Sequence, residues 1–98
     1  MITSEGPSGA IGTVETWREA TTRERRALAD SISRVQGRIQ KEYDPDGFNV
    51  GINIGAAAGQ TVPHLHVHVI PRYKGDAPDP RGGVRWVVPE RADYWSGD

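Results

Sequence analysis

The fold is decided by residues 62–70, which read Val-Pro-His-Leu-His-Val-His-Val-Ile. From His64 to Val69, histidines alternate with apolar side chains, and a period of two places the two kinds on opposite faces of a β-strand. The apolar face must be buried against another element, whereas the other face carries a row of imidazoles. The segment therefore predicts a strand between a hydrophobic core and a polar surface.

A second strand is predicted over residues 48–54, just before this segment. Apolar side chains occupy positions 48, 50, 52 and 54, with asparagine or glycine between them. The small residues Gly55–Gly59 connect the two strands, and a short connection of this kind is typical of an antiparallel hairpin.

A long amphipathic helix is predicted upstream, over Thr22–Lys41. Thr21 and Glu24 form a capping-box pattern, which satisfies two open backbone donors at a helix start. Four apolar residues then recur at helical spacing and form one stripe: Leu28, Ile32, Val35 and Ile39. Residues 44–47, Asp-Pro-Asp-Gly, predict a turn. A helix stripe packed on the apolar face of a hairpin indicates the α+β class.

The two ends of the chain lack such patterns. Residues 1–12 are expected to form a loop or remnant, with a short extended piece at 10–14. Proline and glycine predict a loop over residues 71–83, followed by a short strand at 84–88 and an aromatic end to the tail. We expect residues 1–98 to form one domain with an irregular tail over 72–98.

Composition excludes several classes of protein. Twelve lysine and arginine residues oppose thirteen aspartate and glutamate residues, which leaves a net charge of −1. Nucleic acid is therefore not an expected partner, because no cationic excess is available to release counterions from phosphates. The absence of cysteine excludes a disulfide scaffold and a thiolate zinc site. No apolar run approaches the length of a membrane helix, and a cytoplasmic location is the default expectation.

Three interpretations of the histidine row remain open at this point. The first is a polar strand face without chemistry. The second is a metal site built on two of the imidazoles, because His64 and His68 lie about 13 Å apart along an extended strand. The third is catalysis, in which one imidazole attacks phosphorus while a neighbour orients it and another gives a proton to the leaving group.

Residues just outside the histidine row favour the catalytic interpretation. Gln60 and Thr61 bring amide and hydroxyl donors to the start of the strand, and Asn53 lies on the polar face of the partner strand. Such donors stabilise the negative charge of a phosphate. These residues are therefore candidate phosphate ligands.

Residues 53–72 resemble the signature of the histidine triad (HIT) family. The shared pattern is an asparagine, a glycine-bearing loop, the sequence Gly59-Gln60-Thr61-Val62, and three histidines alternating with apolar residues. The tail from Tyr73 to Trp86 is similar to bacterial members, and the resemblance extends over roughly residues 13–95. It implies an antiparallel sheet with one long helix packed on it.

The resemblance also implies a function. Members are commonly homodimeric hydrolases or transferases of nucleotides, and adenosine nucleotides are the favoured substrates. His66 would be the nucleophile, His64 would orient it, and His68 would contact the phosphate and assist the leaving group. The α-phosphate would be held by the three candidates named above, Asn53, Gln60 and Thr61. The resemblance implies no metal and no cofactor at the site.

The front of the chain departs from the family pattern. Members carry further strands and another histidine before the helix, and these supply the pocket for base and ribose. Here no histidine precedes His64, so we expect these strands to be reduced or missing. The segment is either a shortened remnant or the start of the chain at an internal point of a longer frame. Weakened nucleotide affinity and turnover would follow. The alternative function is a non-catalytic nucleotide-binding or interaction module.

Overall fold

The structure is a computed structural model that describes the backbone of residues 3–5 and the whole of residues 14–96. Its helix, α1, spans Thr22–Tyr43, and its three strands are β1 (Thr3–Glu5), β2 (Gly47–Gly51) and β3 (Val67–Arg72). Short 3₁₀ turns lie at Ala56–Ala58, Gly83–Val87 and Pro89–Arg91. The predicted α+β class is confirmed.

The sheet has the order β1-β3-β2, and both pairings are antiparallel. Val50 lies opposite Val69 and Gly51 lies opposite His68, as the predicted hairpin requires. In β3, burial alternates residue by residue, with Val67 and Val69 fully buried and His68 half-buried. The apolar face of β3 therefore lies in the core and its histidine face does not.

Capping residues set both ends of helix α1. The Glu24 amide donates to the Thr21 hydroxyl (3.0 Å), and the Thr21 amide donates to the Glu24 carboxylate (2.7 Å). The helix continues two residues beyond the predicted Lys41, to Tyr43, and is capped by Asp44, which has a φ of 48°. Ile32 is only half-buried, and the core contains seven buried residues: Ala20, Leu28, Val35, Ile39, Leu65, Val67 and Val69.

Both hairpin strands have shifted boundaries. β2 ends at Gly51 rather than at residue 54, and β3 begins at Val67 rather than at residue 62. Residues 62–64 form a bend that contains Pro63, and proline has no amide to donate to a neighbouring strand. The Leu65 amide donates to the Val14 carbonyl (2.7 Å), so this residue bonds to the segment before the helix. At its other end, β3 includes Pro71 and Arg72, which were predicted to be loop.

Two further predictions were wrong at the ends of the chain. Residues 3–5, predicted as loop, form β1 and pair with the free edge of β3. Residues 84–88 were predicted as a strand, but Gly83–Val87 is a 3₁₀ turn. Gly82 and Gly83 have φ values of 92° and 50°, and this left-handed backbone turns the chain instead of extending it. Of the extended piece predicted at 10–14, residues 10–13 lie outside the described residues.

The tail is attached to the sheet by polar contacts at the end of β3. The Arg72 guanidinium donates twice to the Asp76 carboxylate, at 2.8 Å each, and also to the Asn49 side chain. The Lys74 amide donates to the Asp46 carboxylate (2.8 Å). These bonds direct residues 73–76 back toward the sheet.

We expect Leu28→Ala to lower the free energy of unfolding by about 2–5 kcal/mol, because it opens a cavity in the core between α1 and β3. Chemical denaturation measures this loss. Ser33→Ala, on the exposed side of the same helix, is the matched control and should change stability little. An equal loss in both variants would show that α1 does not pack through Leu28.

The contact with Arg72 predicts an acid-side titration. The Arg72 guanidinium lowers the pKa of Asp76 from 3.8 to about 2, and the Tyr73 amide contributes in the same direction. Because the folded-state pKa is depressed, this contribution to stability is present above pH 3.8 and is lost as the pH falls through 2. NMR titration should show the Asp76 pKa rising in Arg72→Gln while that of Asp93 stays in place. An unchanged Asp76 pKa would contradict the contact.

Candidate functional site

The three histidines form one row that crosses the start of β3. His64 is exposed in the bend before the strand, and His66 and His68 are half-buried. The ring centroids of His64 and His66 lie 5.9 Å apart, and those of His66 and His68 lie 4.9 Å apart. Both pairs meet edge to face. The rings of His66 and His68 are thus close enough to contact neighbouring atoms of one bound group.

A backbone contact orients the central ring. His66 Nδ1 lies 3.2 Å from the carbonyl oxygen of His64. Because a carbonyl oxygen only accepts, this hydrogen bond requires the hydrogen on Nδ1, and the neutral ring then has a lone pair on Nε2. The resemblance to the HIT family implied that His64 orients His66, and the contact between the two residues in this structure is made by the His64 backbone. The ring nitrogen that remains free is the one a nucleophile needs.

Gln60 holds the loop that precedes the histidines. Its side-chain amide donates to the carbonyl oxygens of Glu15 (3.0 Å) and Val62 (3.1 Å), and its oxygen accepts from the Gly55 amide (2.8 Å). Gly55 and Gly59 have φ values of 88° and 97°, which closes residues 55–60 into a tight turn. Both amide hydrogens of Gln60 are therefore already engaged, although it was expected to contact phosphate.

The other two candidate phosphate ligands are accessible. Asn53 is exposed beside the loop, and its side-chain nitrogen would lie 3.6 Å from a methyl group built on Gly59. Thr61 is exposed at the end of the loop. Because Gly59 has no side chain, the Asn53 side-chain amide stays accessible on the side that faces the loop.

A cavity of about 410 Å³ lies between the polar face of the sheet and the tail. We call it the His68 cavity, because His68 is the only one of the three histidines in its wall. Asn53 and Gly51 line its sheet side, and its tail side is formed by Val84, Trp86 and Val87. These tail residues were not among the predicted site residues, because the Gly82-Gly83 pair that folds the tail back was interpreted only as loop.

Residues 3–5 and 14–96 contain neither a cluster of metal ligands nor a membrane-spanning helix. No three histidine, aspartate or glutamate side chains there converge as ligands for a metal ion. In the same part of the chain, no helix combines the length and apolar character needed to cross a bilayer.

Comparison with known proteins places these observations in a family. A sequence model of the HIT domain matches residues 11–75. A bis(5'-nucleosyl)-tetraphosphatase from Schizosaccharomyces pombe is 46% identical over 60% of this chain and 32% of its own length. An AP-4-A phosphorylase from Mycobacterium tuberculosis is 39% identical over 72% of this chain and 35% of its own length. The chain thus spans about a third of these relatives.

A solved structure agrees with the fold. A HIT-like protein from Bartonella henselae superimposes with a TM-score of 0.64 at 28% identity, over 69% of this chain and 51% of that one. The tail beyond residue 75 lies outside the HIT match.

Gln60→Leu should loosen the loop between β2 and β3, because it removes all three side-chain hydrogen bonds at once. We expect amide hydrogen exchange at Gly55 to accelerate by at least about tenfold, which corresponds to a loss of about 1.4 kcal/mol. Gln40→Leu on the exposed side of α1 is the control and should leave Gly55 unchanged. Unaltered exchange at Gly55 in Gln60→Leu would show that another contact closes the loop.

Proposed function

The chain belongs to the HIT domain family, and from that premise we propose that it is a nucleotide hydrolase or nucleotidyl transferase. It would cleave a nucleoside phosphoanhydride or phosphoramidate through a nucleotide bound covalently to His66. The observation that carries this proposal is the contact between His66 Nδ1 and the His64 carbonyl oxygen. That contact leaves Nε2 of the same ring as the free nucleophile.

In the first step, His66 Nε2 attacks the α-phosphorus of the substrate. The N–P bond forms as the bond from phosphorus to the leaving group breaks. His68, with its ring 4.9 Å from that of His66, donates a proton to the departing atom. The attacking ring becomes positively charged, and its Nδ1 hydrogen remains bonded to the His64 carbonyl oxygen, which stabilises that charge.

In the second step, water attacks the same phosphorus and the N–P bond breaks. His68, now neutral, accepts a proton from the water, so both histidines return to their starting states. Asn53 and Thr61 are exposed beside the row and supply donors to the α-phosphate oxygens. Gln60 acts on the phosphate by holding the loop backbone. Another nucleophile in place of water would make the reaction a transfer.

The relatives favour an adenosine polyphosphate as the substrate. Their names specify a bis(5'-nucleosyl)-tetraphosphatase and an AP-4-A phosphorylase, and we carry that substrate class to this chain as part of the proposal. The sequence ahead of the helix lacks the histidine-bearing segment of the family pattern, so we propose that the pocket for base and ribose is less complete and that nucleotide binding is correspondingly weak.

We also propose a homodimer. β2 is one of the two outer strands of the described sheet, and an outer strand can pair with another chain. Val50 on this strand and Ile54 just beyond it are exposed apolar residues, which a second copy would cover. Sedimentation velocity at micromolar concentration should show a dimer, and a stable monomer would refute this part of the proposal.

Intact-mass spectrometry tests the covalent step. The wild-type protein mixed with diadenosine tetraphosphate should gain the mass of one adenylyl group, and His66→Ala should gain none and lose turnover. His64→Ala is the matched variant, because it keeps the backbone carbonyl that orients His66. It should still form the adduct. Nucleotide binding without adduct or turnover in the wild type would support the non-catalytic module instead. Loss of turnover in excess chelator would support the metal site.

The role of His68 predicts a dependence on the leaving group. His68→Gln should slow cleavage of diadenosine tetraphosphate by about 10²–10⁴-fold, since general acid catalysis contributes that range. It should slow release of p-nitrophenol from its adenosine 5'-phosphate ester much less, because that leaving group departs without a proton. Steady-state rates on the two substrates measure the difference. Equal losses on both would contradict the assignment.

A further inference from the structure

The tail forms a second cavity beyond the first. It has a volume of about 610 Å³, and we call it the Trp95 cavity. It shares Gly83 and Trp86 with the His68 cavity, so Trp86 stands at the boundary between the two. Gly83 and Trp86 therefore separate a cavity that contains His68 from one that lies within the tail. This part of the chain lies beyond the segment that matches the HIT domain.

Gly82 brings the two indole rings of the tail together. A methyl group at this position would lie 2.9 Å from a ring carbon of Trp95 and 3.4 Å from the indole nitrogen of Trp86. The Trp86 indole N–H donates to the Arg81 carbonyl oxygen at 2.5 Å, which fixes the orientation of the ring. Trp86 is nevertheless 42% exposed. An aromatic ring is thus held in place with much of its surface uncovered.

The arginine side chains in the wall of the Trp95 cavity are paired with carboxylates, and this favours a neutral ligand. Arg72 is bound to Asp76 and Arg81 is bound to Asp79, so neither guanidinium in the wall is without a carboxylate. The Arg81 guanidinium also lies 4.8 Å from the centroid of the Trp95 ring. The wall also contains Asp93 and Ser96, and the Ser96 hydroxyl donates to the Asp93 carboxylate (2.6 Å). Paired polar groups beside two indole rings suit a neutral planar heterocycle, whereas a phosphate would need unpaired cations.

We propose that the Trp95 cavity binds the base of the leaving nucleotide. This inference rests on the proposed function, in which His68 protonates the leaving group. Because His68 alone of the three histidines lines the adjoining cavity, the leaving group departs on that side. Its phosphates cross the His68 cavity, and its base stacks on Trp86 at the entrance to the Trp95 cavity. The tail thereby selects substrates that carry a second nucleoside.

A comparison of two substrates distinguishes binding of the second base from an effect on the chemical step. Diadenosine tetraphosphate has a second base, whereas adenosine 5'-phosphoramidate releases only ammonia. Trp86→Ala should raise KM for the first by about tenfold, since stacking on an aromatic side chain contributes about 1–3 kcal/mol per base. KM for adenosine 5'-phosphoramidate should stay within about twofold of the wild-type value. Trp86→Phe should keep KM for diadenosine tetraphosphate close to the wild-type value, because phenylalanine can also stack on a base. Equal effects on the two substrates, or no effect on either, would overturn the proposal.

The control for these measurements is Val88→Ala. Val88 is exposed in the same tail and lines neither cavity, so its substitution should leave both KM values unchanged. A rise in KM for diadenosine tetraphosphate in this variant equal to that in Trp86→Ala would point to general loosening of the tail and would overturn the stacking role.

A binding measurement without turnover keeps the inference separate from the proposed function. In a Trp17→Phe background only Trp86 and Trp95 remain as tryptophans, so fluorescence reports the tail. Titration with adenosine should quench this fluorescence, and the added substitution Trp86→Ala should weaken the binding by about tenfold. Quenching in a protein without turnover would refute the proposed function and leave the base site standing. Absence of quenching at millimolar adenosine would refute the base site.

Discussion

The alternation of side chains along β3 is the constraint on which the rest of the structure depends. Val67 and Val69 are completely buried between the sheet and α1, so the residue between them must point to the other face. A slip of one residue would move the valines to the surface and His68 into the core. An unpaired imidazole there would lose its hydration. The burial that stabilises the fold therefore also sets the direction of the histidine row.

Backbone groups then orient the central ring of this row. Pro63 and the bend at residues 62–64 separate His64 from β3, and the carbonyl of that residue becomes available to His66. The loop before it is closed by Gln60, which bonds across to Glu15. The orientation of the His66 side chain thus depends on the backbone of His64, and the loop before the histidines depends on a bond to the backbone of Glu15.

Sequence periodicity predicted the elements whose side chains enter the core. The stripe from Leu28 to Ile39 and the capping box at Thr21 predicted α1 to within two residues, because both patterns act locally. The strand boundaries were less predictable, since Leu65 bonds to Val14 and such a long-range partner has no local signal. Residues 3–5 are polar and too few to show a period of two. They form β1 because β3 offers a free edge.

The tail shows why composition alone misleads about function. Proline and glycine at residues 71–83 predicted irregular backbone, and the backbone is irregular from residue 73 to residue 82. Nevertheless, Arg72 anchors this segment and Gly82 packs against two indole rings. A glycine with a φ of 92° is required there because any side chain would meet Trp95. Irregular structure of this kind is as specific as a strand. It places the aromatic side chain of Trp86 beside His68, the one histidine in the wall of the adjoining cavity, and the strands cannot supply that contact.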